Sequence, residues 1–183
     1  MPSPLDDWEP MPAPNSWAWL SILAGRGVFD ELALDHVGVA VEDVDVAMER
    51  FGAKLGLHDW IRSTFSTTST FCGVEQVIGG NVATAAMGPI NLELVQPTQG
   101  SWTPRDVLET RGEGLYHLGF RVPDLAVAAQ RAQEAGYQVE LLASRGPTPI
   151  FTYMERDELF GVCVELVGPA IPAGMVTSTE PVP

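Results

Sequence analysis

LDHVGVAVEDVDVAMERFGAKLGL, residues 34–57, can be laid on YHLGFRVPDLAVAAQRAQEAGY, residues 116–137, starting from the histidine of each. His36 and His117 are each followed two residues later by a glycine, Gly38 and Gly119. Seven residues later each is followed by an aspartate, Asp43 and Asp124. Gly56 and Gly136 close the two segments, and LELVQP (92–97) downstream of the first is echoed by VELVGP (164–169) downstream of the second. The chain is therefore an internal duplication, and whatever one half builds the other builds again.

In both copies the apolar period changes at the aspartate. Before it, Val37, Val39 and Val41 alternate, as do Leu118, Phe120 and Val122, which is the signature of a strand with one apolar face. After it, Val44, Ala47, Met48, Phe51 and Leu55 form a helical stripe, matched by Leu125, Ala128, Ala129 and Ala132. Asp43 and Asp124 suit the N-cap, where a carboxylate accepts from the first free amides. Gly56 and Gly136 suit the left-handed end of a helix. Further strands are predicted over about 58–66, 81–88 and 90–96, then over about 137–143, 149–155 and 161–167, with Thr67 to Gly80 read as a long loop. The fold class is α+β, each module reading strand, helix, then three strands.

Strand alternation then assigns faces. If the valines of the first strand meet the helix, His36 points the other way with Gly38 and Ala40, and His117 does the same with Gly119 and Arg121. Glu93 opposes Leu92 and Leu94, and Glu165 opposes Val164 and Leu166, so two His and two Glu fall at equivalent places on the face away from the helices. Singly, a strand His is usually a hydrogen-bonded core group and a Glu a solvated one. Together, two carboxylates on one interior face need a cation or protons to persist. A divalent ion between two neutral imidazoles and two carboxylates gives a neutral site. Mixed nitrogen and oxygen donors suit Zn, Co, Ni, Mn or Fe(II).

Length and composition bound the rest. The 183 residues make one domain or two small modules sharing a core. The core is expected over 33–169, with modules about 33–98 and 114–169. An N-terminal tail and short helix occupy 1–32, where Asn15 caps a turn bearing Trp17, Trp19, Leu20 and Leu23, and a proline-rich tail occupies 170–183. Lys and Arg total 10 against 24 Asp and Glu, a formal charge of −14. That field repels nucleic acid and anionic membranes, and it disfavours highly phosphorylated substrates. Neither a secretory signal nor a membrane span is predicted. Two isolated cysteines make no disulfide framework, so a cytoplasmic location is expected.

The segments DHVGVAV, NLELVQP, YHLGFRV and GVCVELVGP resemble the four metal-bearing strands of the vicinal oxygen chelate superfamily, which includes glyoxalase I, methylmalonyl-CoA epimerase, extradiol dioxygenases, and fosfomycin and bleomycin resistance proteins. The resemblance spans about residues 33–169. It implies two βαβββ units forming an open barrel around one divalent ion held by His36, Glu93, His117 and Glu165. Spacing and the HLGFRVPDL segment look more like the epimerase branch, whereas Glu93 is more like glyoxalase I, since the epimerase typically has Gln there.

Four protein ligands leave an octahedral ion two positions, enough for a bidentate small-molecule substrate. The chemistry implied is proton transfer next to a polarised carbonyl by an isomerase, epimerase or lyase. Glu165 is the first candidate base, Glu93 its counterpart, and Glu75 resembles the non-ligand glutamate of the epimerase branch. Arg121 either binds a substrate carboxylate or pairs with an interior acid, the commoner fate. Thr152 or Tyr153, on the penultimate strand near Arg156, is a further candidate substrate contact, His58 a surface group, and Cys163 packing. The alternatives are a metal-free binding or resistance protein, an Fe(II) dioxygenase and a natural-product cyclase. A homodimer is compatible with paired modules.

Overall fold

The structure, a computed structural model, describes residues 32–156 and 161–169 and the backbone of 180 and 181. The first module runs β1 (Leu34–Ala40), α1 (Val44–Leu55), β2 (Ile61–Phe71), β3 (Val74–Met87) and β4 (Ile90–Gln99). A helix α2 (Thr103–Arg111) leads to the second, which runs β5 (Gly114–Arg121), α3 (Leu125–Glu134), β6 (Val139–Arg145), β7 (Thr148–Met154) and β8 (Cys163–Val167). A two-residue β9 (Glu180–Pro181), in the segment expected as a tail, pairs with β2. The predicted helix after Asn15, with Trp17 and Trp19, lies outside the described residues. No helix among the described residues is long and apolar enough to cross a membrane.

Local signals act as expected at the helix starts. The Asp43 carboxylate accepts from the amides of Asp45 and Val46, and that of Asp124 from Val127. Each such cap contributes about 1 kcal/mol. Gly56 ends α1 at φ 69°. Val44, Ala47 and Met48 then pack on Leu92, Leu94, Ala83 and Ala85, with Val37 and Val39 of β1 beneath them. A second cluster, containing Ala40, Val95, Tyr116, Leu141, Phe151 and Val167, lies on the other side of the strands.

The strands pair in the order β3-β4-β1-β5-β8-β7-β6-β2, and β2 pairs again with β3. β1–β4 and β5–β8 are parallel and the remaining pairs antiparallel. Among the described residues, two βαβββ modules thus form a mixed barrel with three helices. The ring, expected open, closes at β2.

Closure explains the main correction to the sequence reading. Thr67 to Gly80 is no loop but most of the β2–β3 hairpin, which turns at Cys72 and Gly73 with φ of 48° and 79°. Ser and Thr suggest a loop when their hydroxyls are solvated, yet Thr67 and Ser69 are buried, and the Thr67 hydroxyl donates to the Ser144 carbonyl across the seam. α2 was also not foreseen. It starts at Thr103 and Pro104, and sends Val107 into the inner cluster beside Trp102.

Candidate metal centre

β1 and β5 run antiparallel across the middle of the barrel, pairing His36 with Gly119 and Gly38 with His117. The ladder slips twice. Between Leu34 and His36 there is one extra residue on β1, Asp35, and between His117 and Leu115 one extra on β5, Tyr116. Each bulge falls on the residue just before a histidine, and a bulge re-aims a side chain that strict alternation would send outward. Asp35 accordingly lines the same cavity as His36, and Tyr116 is fully buried beside His117.

His36, Glu93, His117 and Glu165 each bring a donor atom to one place, all four within 4.8 Å of one another. Glu165 Oε2 lies 2.7 Å from His36 Nε2 and 3.2 Å from His117 Nε2, and Glu93 Oε1 lies 3.8 Å from His117 Nε2. The two imidazoles meet edge to face, with centroids 4.9 Å apart.

The donor set fits a divalent cation on its own chemistry. Both ring nitrogens of His117 are buried and without a hydrogen-bond partner, because Glu165 is within reach of Nε2 but not aligned to accept from it. A buried polar group left unpaired costs about 1–3 kcal/mol. A cation at Nε2 would remove one such cost and would neutralise two carboxylates that otherwise repel.

The second imidazole is held differently. His36 Nδ1 donates to Asp35 at 3.0 Å, and Arg121 clamps Asp35 through Nε and a terminal nitrogen, each 3.0 Å away. Arg121 also donates to the Gly168 carbonyl at 3.2 Å. Such a carboxylate behind a histidine fixes its orientation and directs Nε2 towards the cluster, where it could coordinate an ion. Of the two fates weighed for Arg121, pairing with an interior acid is the one observed.

Electrostatics follow from these contacts. Burial pulls His36 down, but the bond to Glu165, with the charges of Glu165 and Glu93 and the bond to Asp35, raises it to about 10. Burial lowers His117 to about 4. Glu93 is pushed up to about 7 by burial, with the charge of His36 opposing and that of Glu165 adding. Glu165 stays below the usual carboxylate range, its burial outweighed by the two histidines.

A cavity of about 230 Å³ opens over the cluster. Tyr153, one of the predicted substrate contacts, lines it, and its hydroxyl is 3.1 Å from that of Tyr116. Thr152 instead donates to the Leu141 carbonyl, and Arg156 pairs with Glu140 and Asp106. Glu75 stands exposed on β3 opposite Thr70, apart from the cavity lining. Cys163 is buried and donates to the Tyr116 carbonyl, and burial pushes its thiol up, as suits a packing role. The sequence reading missed Asp35 and Tyr116, because it assumed unbroken alternation. It missed Trp102 and Phe65 because they lie outside the repeated segments.

Comparison with known proteins places these observations in a family. The model for the Glyoxalase/Bleomycin resistance protein/Dioxygenase superfamily matches residues 35–150. Uncharacterized protein YqjC of Bacillus subtilis (strain 168) is 28% identical over 138 residues, 74% of this chain and 91% of that protein. Methylmalonyl-CoA epimerase from Mycobacterium tuberculosis superposes with a TM-score of 0.50 at 24% identity, over 75% of this chain and 88% of the other. A mutant of 4-hydroxymandelate synthase from Streptomyces coelicolor superposes with a TM-score of 0.53 at 17% identity, over 77% of this chain and 39% of the other. At these identities the two structural likenesses show a shared fold.

Proposed function

Because this chain belongs to the Glyoxalase/Bleomycin resistance protein/Dioxygenase superfamily, we propose that it is a divalent-metal-dependent isomerase, epimerase or lyase that moves a proton next to a carbonyl of a small oxygenated substrate. The observation that carries this reading is the convergence of His36, Glu93, His117 and Glu165 within 4.8 Å, with His117 Nε2 buried and unpartnered. A divalent cation held by these four would polarise the carbonyl and offset the charge that develops on its oxygen.

The chain's own residues would divide the remaining work. His36 and His117 bind through Nε2, the first steadied by Asp35 and Arg121. Glu165 lies between both imidazoles and is the less free of the two carboxylates. Glu93 stands off at 3.8 Å and keeps 24% of its side chain exposed towards the cavity, which favours it as the group that takes the proton from carbon. The bonding pair of that C–H goes into the enolate, and the proton returns from Glu93 or, on the opposite face, from solvent, with Glu93 then releasing its own proton to solvent. Isomerisation and epimerisation end there, and a lyase would expel a leaving group from the neighbouring carbon. Tyr116 and Tyr153 pack against the fully buried His117 ring and hold it in place.

Metal content by inductively coupled plasma mass spectrometry tests the reading, beside His117→Ala and Glu165→Ala. About one divalent ion per chain, lost in both variants, is expected. No ion after reconstitution with Zn, Co, Ni, Mn or Fe(II) overturns it.

A further inference from the structure

We infer that the substrate carries an uncharged aromatic group beside its two chelating oxygens. This rests on the metal-centre reading and adds the class of molecule.

One side of the cavity, which also bears Val82, Val95 and Val167, is a run of touching rings that ends on a candidate ligand. Trp102 meets Phe65 with centroids 5.5 Å apart, Phe65 meets Phe151 at 6.5 Å, Phe151 meets Tyr153 at 5.5 Å, and Tyr153 stacks on His117 at 5.5 Å with 28° between planes. The first four of these line the cavity. Neighbouring rings near Trp102 and Phe65 are almost perpendicular, so they present both faces and edges to the space they enclose. A flat ring finds offset-stacked and edge-to-face partners there, which an alkyl chain cannot use to the same degree. The remainder of a molecule held at the cluster by two adjacent oxygens would have this aromatic side of the cavity within reach.

Charge argues for a neutral group. Among the described residues lining the cavity, Arg121 is the one permanent cation, and its guanidinium is spent on Asp35 and Gly168. Asp35, Glu93 and Glu165 line the same space. With a dication bound and both imidazoles neutral, these charges cancel, so a second carboxylate on the substrate would gain no partner and would face three acids. Size points the same way. At about 230 Å³ the cavity is smaller than the roughly 300–1,000 Å³ of common small-molecule clefts, enough for one ring and its chelating group.

Hydroxamates supply paired oxygens with a chosen substituent. The metal-reconstituted full chain would be titrated calorimetrically with benzohydroxamate, acetohydroxamate and succinic monohydroxamate. Benzohydroxamate is expected to bind at least about tenfold tighter than acetohydroxamate, with the charged probe weakest. Phe151→Ala, and separately Phe65→Leu, should shrink that preference while leaving metal content and acetohydroxamate affinity unchanged. Equal affinities, or tightest binding of the charged probe, overturn the inference while the metal reading stands. Failure to load metal overturns both.

Discussion

Gly38 and His117 face each other across β1 and β5, and the His117 ring occupies the space that a Cβ on residue 38 would need. The relation is reciprocal, since the His36 ring fills the same space over Gly119. The repeated His-x-Gly is therefore a swap, in which each module's glycine makes room for the other module's histidine.

Gly38→Ala must displace the fully buried His117 ring, and Gly119→Ala the His36 ring at the cavity wall. Each is expected to cost about 1–3 kcal/mol of stability and to lower metal occupancy well below one ion per chain. Thermal unfolding and metal analysis of the two variants check this, and normal occupancy in both would show that the rings are free to move.

The pH dependence of chelator-treated protein should oppose that of loaded protein. His36 is raised from 6.5 to about 10 and Glu93 from 4.5 to about 7, so without metal the folded state holds extra protons. The His36 contribution is complete below pH 6.5 and is lost as pH rises towards 10, whereas between about 4 and 7 the loss on charging Glu93 is offset by the gain from His117, which is lowered to about 4. Metal must displace the His36 proton, so its binding strengthens with pH. The melting temperature gained on adding metal is expected to widen between pH 6 and 9, and a constant gain would exclude His36 as a displaced ligand.

Asp35→Asn keeps the shape behind His36 but removes the charge that pairs with Arg121. Metal affinity is expected to fall by about 10- to 100-fold with the fold intact, as measured by chelator competition and circular dichroism. Arg121→Gln should have the smaller effect in the same direction.

Glu93→Gln is expected to retain metal through the other three donors yet lose about 10²–10⁴-fold in the exchange of a substrate α-proton with deuterium oxide, followed by NMR. Glu75→Gln, on the exposed hairpin, is expected to leave both quantities unchanged. Loss of exchange in Glu75→Gln would assign that residue a role its position does not suggest.

Outside the site, Glu140 is buried, accepts from Thr103 on α2, and pairs with Arg156, which also reaches Asp106 on α2. Arg156→Met strands the Glu140 charge and should cost about 2 kcal/mol, partly recovered in the double variant with Glu140→Gln. Urea denaturation at neutral pH measures both.

The repeat made the core of this fold legible. Asp43 and Asp124 announce the two helices, and alternation around His36, His117, Glu93 and Glu165 assigns four donors to one face. Three features escaped because their causes are not periodic. Thr67 and Ser69 look like loop residues until a strand from the other module arrives to cover them. Trp102 enters the cavity from a connection that belongs to neither copy. Asp35 and Tyr116 turn inward because the ladder slips, and a slip depends on how two distant strands settle against each other.

Those two bulges sit at equivalent places yet carry different side chains. An acid braces one imidazole, while an aromatic ring packs against the other and leaves its nitrogens bare. A cage built by duplication would otherwise look the same after half a turn and would accept a chelating molecule in two interchangeable poses. Filling one bulge with Asp and the other with Tyr removes that equivalence, so a guest held at the cluster would meet two unlike sides and settle in one preferred pose.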